Sequence, residues 1–182
     1  CCTTTLFARE RVKGNGNIIT KTIPVEEFTD LRLGERIQSR NGFSFFKRNK
    51  NRFPTFNYTQ TTGSSSLTIT TDENLFDYID IEQTEGKVRI KAQGDNLEIS
   101  PTQLVIEGKS KNLQRVDISG TMNFIIEESL DVPLANFSVS GVGDIKISDL
   151  RCDALRCDIS GVGNIYLDGK VKAAEYYVSG VG

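Results

Sequence analysis

The chain has 182 residues, 37% hydrophobic and 25% charged, with a formal net charge of -2. That is a folding composition, long enough for one buried core, and it predicts no general attraction to nucleic acid or anionic membrane. It contains no His, so neither a Ser–His nor a Cys–His nucleophile pair can be built within it, and the commonest metal ligand is absent.

Charge is unevenly placed. Arg36, Arg40, Lys47, Arg48, Lys50 and Arg52 fall between Arg36 and Thr71 with no acid among them, leaving 16 basic against 24 acidic residues elsewhere. Cys1-Cys2 opens the chain without a Met. This fits either a mature bacterial lipoprotein, with Cys1 as the lipid-bearing residue, or an arbitrary sequence edge. Residues 1–13 read as a tether, and 14–182 as one domain.

Gly14-Asn15-Gly16-Asn17 reads as a turn feeding a strand from Ile18. Leu31, Leu33 and Ile37 are spaced for a strand bent at Gly34, while Pro24 suits a strand end. Residues 38–66 break the pattern as an excursion. Within it Arg40, Phe43, Phe45, Phe46, Lys47, Arg48, Lys50, Arg52, Phe53, Phe56 and Tyr58 interleave cations with aromatics. This is either a surface for an anionic or sugar ligand, or a surface hairpin packed on the domain's flank. Leu67-Thr68-Ile69-Thr70 alternates as a strand. Asp72 to Ile79 is the one helix-like stretch, with Asp72 as its cap. Ile79–Glu82 and Lys87–Ala92 form a hairpin about Glu85-Gly86, and Leu104–Ile106 is a buried strand.

From Leu113 a phrase recurs: Ile118-Ser119-Gly120, Val139-Ser140-Gly141-Val142-Gly143-Asp144, Ile159-Ser160-Gly161-Val162-Gly163-Asn164 and Val178-Ser179-Gly180-Val181-Gly182. A period near 20 predicts stacked coils. Each coil is a strand, a Gly corner, a second strand and a second corner. Stacking would align Phe124, Ile145 and Ile165 in one inward column, and Ile126, Ile147 and Leu167 in the next. The corner glycines Gly120, Gly141, Gly143, Gly161, Gly163 and Gly180 are expected to supply positive φ. Asn123, Asp144 and Asn164 are expected to form a ladder over open backbone amides. With two of three acidic positions taken by Asn, the corners are too poor in charge for calcium. Cys152 and Cys157 could pair, but Cys157 falls in an inward column with Phe137 and Tyr176, which favours a buried thiol.

These readings give an all-β protein: a right-handed parallel β-helix-like solenoid of roughly 20-residue coils with an irregular N-terminal half. The Gly14-Asn15-Gly16-Asn17 turn, the stretch from Asp72 to Ile79 and the serial Ser-Gly-Val-Gly-Asp/Asn phrase resemble the bacterial auto-transporter adhesin, head GIN domain family, common in Bacteroidetes envelopes. The resemblance implies an all-β, β-helix-like domain, often lipid-anchored or exported, with an adhesin role. It carries over no functional residue. Stretch 40–58 reads as an insertion on the family pattern, and Gly120-Thr121-Met122-Asn123 lacks the second Gly.

The expected function is a non-catalytic envelope binding or adhesion module that takes a glycan or a cell-surface protein. It would meet the membrane only through a lipid on Cys1, and would need no cofactor, metal or nucleic acid. The expected location is the bacterial envelope, as an outer-membrane lipoprotein. A structural spacer is the alternative. A carbohydrate-active enzyme is the third reading, although Asp117, Asp144 and Asp158 are scattered where paired carboxylates would be needed. The coil ending at Gly182 should present an open edge that is frayed, covered by another chain, as in a homo-oligomer formed through the open solenoid end, or continued in a longer parent.

Overall fold

The computed structural model describes residues 10–38 and 53–182. In chain order the strands are β1 (Glu10–Lys13), β2 (Ile18–Pro24), β3 (Asp30–Glu35), β4 (Thr55–Gln60), β5 (Ser66–Asp72), β6 (Ile79–Thr84), β7 (Lys87–Ala92), β8 (Leu97–Ser100), β9 (Leu104–Ser110), β10 (Arg115–Ile118), β11 (Asn123–Asp131), β12 (Leu134–Val139), β13 (Ile145–Ile159) and β14 (Ile165–Val178). A 3-10 helix, Glu73–Tyr78, stands between β5 and β6. Twelve strands form one curled sheet, and β1 pairs β8 apart from it. The fold is therefore all-β.

The repeat builds the parallel part of the sheet. Its alternating residues put Val116 opposite Phe137 and Ile118 opposite Val139 in the β10–β12 ladder. In β12–β13, Phe137 meets Cys157 and Val139 meets Ile159. In β11–β13, Phe124 meets Ile145 and Ile126 meets Ile147, and β14 continues both columns with Ile165 and Leu167. The expected inward columns are thus present. β13 belongs to two ladders: Ile145 to Arg151 pair β11, and Ala154 to Ile159 pair β12. The chain turns a corner between them, so the two arms of the sheet enclose one core.

Further strands join where no repeat is visible. β3 lies on β10, with Leu31 opposite Val116 and Leu33 opposite Ile118. β4 lies on β11, with Phe56 opposite Phe124. Antiparallel ladders finish both arms: β6–β7, the hairpin expected about Gly86, and β2–β5–β9. The sheet is a single curled layer and not a uniform coil from end to end. Two expected boundaries shift. Residues 10–13, placed in the tether, form β1, with Glu10 opposite Leu97. The excursion from 38 contains β4, held between β9 and β11.

The core is continuous and largely aliphatic, with an aromatic centre. The Phe56 and Phe124 rings stack at 5.8 Å, and Tyr58 lies 6.3 Å from Phe124. The Tyr58 hydroxyl donates to the Ser110 carbonyl at 2.8 Å, which satisfies the polar end of a buried ring. Asp72 does not use its side chain to cap the short helix. Its carboxylate is buried and accepts from the Gly16 and Thr102 amides at 2.7 Å each, joining two loops instead.

The corner glycines are explained by crowding. Of the corner glycines Gly143 has the expected positive φ, 156°, while Gly120, Gly141, Gly161, Gly163 and Gly180 do not. A Cβ on Gly120 would lie 1.4 Å from the Gly34 carbonyl oxygen; on Gly141, 2.1 Å from that of Gly120; on Gly161, 2.1 Å from that of Gly141; and on Gly180, 2.1 Å from that of Gly161. The second glycines repeat this, Gly143 against Met122 and Gly163 against Gly143. Stacked corners approach so closely that no side chain fits between them. The expected polar ladder runs alongside: Asn123 Oδ1 accepts from the Asp144 amide at 2.9 Å, and Asp144 Oδ1 from the Asn164 amide at 2.8 Å. Cys152 and Cys157 are free, buried thiols. Burial, then the neighbouring Cys152, pushes the Cys157 thiol up to about 11.

Candidate functional site

Eight of the expected ligand residues, Arg40, Phe43, Phe45, Phe46, Lys47, Arg48, Lys50 and Arg52, lie outside the described residues, as does Cys1. Phe53 is half-buried at the entry to β4. Phe56 and Tyr58 are 0% and 2% exposed, so they are core residues and offer no face to a ligand. The correction has a simple cause. β4 alternates, and its aromatics fall on the inward side of a central strand.

The two ends of the intervening stretch are nonetheless fixed. The Ile37 carbonyl accepts from the Thr121 amide at 3.2 Å, and the Pro54 carbonyl from the Asn123 amide at 2.8 Å. Ile37 and Pro54 therefore both stand beside one Gly corner.

The other arm of the sheet presents a polar face beside that corner. Its strands run in the order β6, β7, β3, β10, β12, β13, β14. Parallel register places like positions side by side, about 4.8 Å apart. One outward row is Lys87, Asp30, Arg115, Asn136, Arg156 and Glu175; the next is Arg89, Arg32, Asp117, Ser138, Asp158 and Tyr177. At the corner Ser119, Ser140, Ser160 and Ser179 are all exposed. The face is thus mixed in sign, with a serine margin.

Local pairs set its electrostatics. Arg89 binds Glu35 and lies 3.5 Å from Glu82. The Glu35 hydrogen bond raises the Arg89 pKa despite partial burial. A hydrogen bond from Lys91 lowers that of Glu82. Arg32 approaches Asp117 at 4.0 Å. At the far end the Arg156 guanidinium lies 4.6 Å over the Tyr177 ring, and the Tyr177 hydroxyl donates to Glu175 at 3.3 Å. Such a surface can hydrogen-bond an extended polar ligand and stack a ring at Tyr177. Glu175 is met by both the Tyr177 hydroxyl and, at 4.0 Å, the Arg156 guanidinium.

A sequence profile of one family matches residues 54–182. The chain belongs to that family, "Putative auto-transporter adhesin, head GIN domain". Solved structures share its fold. A "putative adhesin" from Bacteroides fragilis is 21% identical, with a TM-score of 0.75 over 93% of this chain and 71% of that one. A "Putative lipid binding protein" from Parabacteroides distasonis is 23% identical, with a TM-score of 0.65 over 94% of this chain and 83% of that one. A "putative adhesin" from the same species is 22% identical, with a TM-score of 0.64 over 94% and 74%. At these identities the likeness is one of fold alone. No curated protein matches the chain.

Within this head GIN domain, sequence reasoning missed the polar face. Its signal was present in the repeat, where Asp117, Ser138 and Asp158 stand between inward apolar residues. What was missing was the knowledge that β3 and β7 extend the same rows, since neither carries the Ser-Gly phrase.

Proposed function

We propose that this head GIN domain is a non-catalytic binding module of the bacterial envelope, anchored by a lipid on Cys1, with the polar face of β3, β10, β12 and β13 as its ligand surface. We read the stacked C-terminal ladders as a right-handed β-helix-like coil that serves as the rigid carrier of that face. The observation that carries the reading is the in-register display of Arg115, Asn136, Arg156, Arg32, Asp117, Ser138 and Asp158. These side chains stand outward on a backbone held by ladders on both sides, so binding would cost little ordering of the surface. A surface-exposed glycan, rich in hydroxyls and extended along its chain, is the class of ligand it fits. The cationic stretch from Arg40 to Arg52 is the second contact in the proposal.

A glycan array tests it. Wild type would be compared with Arg32→Ser/Arg115→Ser on the face, and with Lys47→Ser/Arg48→Ser/Lys50→Ser/Arg52→Ser. Deleting residues 41–58 would remove β4 and tell nothing about binding. Loss of glycan binding in the face variant supports the proposal. Binding that is indifferent to the face variant overturns the assignment, and a blank array with wild type favours the spacer. Loss of membrane association in Cys1→Ser would support the anchor.

A further inference from the structure

We propose, resting on the reading of the polar face as a glycan surface, that its ligand is an acidic glycan laid across the strands, with the carboxylate of one uronic acid unit held by Arg115, Asn136 and Arg156.

The face is hollowed where these side chains stand. A depression of about 370 Å³ lies over β10, β12 and β13, lined by Leu134 and Ala154 from one outward row and by Arg115, Asn136 and Arg156 from the next. A second, of about 240 Å³, lies over β6, β7 and β3, where Thr84, Lys87 and Arg32 line it. Asp30 and Arg115 line both, so the two depressions join. From Lys87 to Arg156 this trough crosses β7, β3, β10, β12 and β13, a span of about 19 Å at the spacing of a sheet. That length takes a short, extended oligosaccharide running perpendicular to the strands.

Charge selects the occupant. The register order along the row is Lys87, Asp30, Arg115, Asn136 and Arg156. Its last three members are N–H donors on successive strands with no carboxylate between them. Among the described residues, neither the Arg115 guanidinium nor the Asn136 carboxamide has a hydrogen-bond or ion-pair partner. Arg156 is already placed, over the Tyr177 ring and 4.0 Å from Glu175. The backbones of Arg115 and Arg156 stand about 10 Å apart with Asn136 midway, within reach of one carboxylate above it. A guanidinium fork matches the two oxygens of such a group. Leu134 and Ala154 offer the C–H side of the sugar ring an apolar floor.

The acids in the trough narrow the class further. Asp30 stands between Lys87 and Arg115, and Glu175 stands beside Arg156. Both repel a chain that carries an anion on every unit, and both accept from hydroxyls. A glycan in which a uronic acid alternates with a neutral sugar supplies what each position asks for: a carboxylate over Asn136, and hydroxyls for Asp30 and Glu175 on either side.

Titration calorimetry on the 182-residue chain tests this. The probes are a hyaluronan oligosaccharide, in which glucuronate alternates with a neutral N-acetylated sugar, and the same oligosaccharide with its carboxylates reduced to alcohols. Wild type should bind the charged form roughly 10-fold more tightly than the reduced one. Arg115→Gln should bring that ratio to about 2-fold or less, and Arg156→Gln should also lower it. Arg151→Gln, on the other arm of the sheet, should keep it. Melting temperatures equal to wild type in all three variants separate loss of contact from loss of fold. Equal affinity for the two forms overturns the proposal and leaves a glycan-binding face standing. So does a preference that survives Arg115→Gln, or tighter binding of dextran sulfate than of the charged form. If wild type binds neutral glycans on the array but neither oligosaccharide, only this proposal falls. If it binds no glycan, the reading beneath it falls as well.

Discussion

Replacing Gly141 by Ala isolates the force that makes the repeat a repeat. The added Cβ would sit 2.1 Å from the Gly120 carbonyl oxygen and 2.7 Å from the Ser119 carbonyl carbon. A carbon–oxygen contact is comfortable near about 3.3 Å, so the two corners must part by roughly 1 Å. Three bonds hold them together: the Ser140 and Gly141 amides to the Ile118 carbonyl at 2.9 Å each, and the Val142 amide to the Gly120 carbonyl at 2.8 Å. Overpacking costs about 1–3 kcal/mol and each stretched bond about 1 kcal/mol, offset by about 0.5 kcal/mol from a stiffer unfolded chain. The expected loss is about 3.5–5.5 kcal/mol in urea-induced unfolding. Gly180→Ala is the control. Its Cβ would lie equally close to the Gly161 oxygen, at 2.1 Å, but no described coil stacks beyond it. In the 182-residue chain that corner can move outward, and the loss should be about 1 kcal/mol or less. Equal costs at the two sites, or a Gly141→Ala cost below about 1 kcal/mol, would refute crowding between coils as the reason for the glycines.

Asp72→Asn should cost about 2 kcal/mol by weakening the bonds from the Gly16 and Thr102 amides. Burial raises the Asp72 pKa, but those bonds outweigh it and leave it below the usual value; wild-type stability should therefore fall as pH drops below about 4, and the Asn variant should lose that slope in acid titration. The Cys157 thiol, raised to about 11, predicts the opposite limb: the unfolded thiol ionises first, so stability declines between about pH 9 and 11, and Cys157→Ser should flatten the decline measured by alkaline unfolding. In the corner ladder Asn123→Ala orphans the Asp144 amide and should cost about 1 kcal/mol, whereas Asn164→Ala leaves each described amide of that ladder with its acceptor and should cost less, as thermal melts would show.

How much of this was legible depends on which residues repeat. From Val116 to Val178 the alternation of apolar and polar residues names the strands, the inward columns and the Asn/Asp ladder, because a residue's neighbours are copies of itself. β3 and β4 escaped that logic. Leu31-Arg32-Leu33-Gly34 occupies the same place as Val116-Asp117-Ile118-Ser119 without sharing its phrase, and Phe56 stacks on Phe124 from a stretch whose cations suggested a surface. Local composition near 40–58 pointed outward, while the period-2 pattern Phe56-Asn57-Tyr58 pointed inward, and in β4 the pattern decided. The glycines were legible as corners, but the expected positive φ holds at Gly143 and not at Gly120, Gly141, Gly161, Gly163 or Gly180. A positive φ can be guessed from one turn, while crowding exists only between two turns, and sequence spacing alone does not show how close they come.

That crowding also bears on function. Because Gly120, Gly141, Gly161 and Gly180 admit no side chain, the spacing of the coils is set at the corners and does not depend on what stands outward between them. The inward columns are constrained by the core and the corners by contact, leaving the outward rows the least constrained positions in the fold. They hold Arg32, Asp117, Ser138, Asp158 and Tyr177 in one row, five side chains of four chemical types on one rigid period. A pure spacer would need nothing more than solubility there, which Ser, Thr and Lys supply. An Arg156–Tyr177 stack and an Arg32–Asp117 approach add direction to the face that solubility does not require. The architecture thus separates two tasks: glycine and the buried columns hold the distance, and the outward rows are free to be written for a ligand.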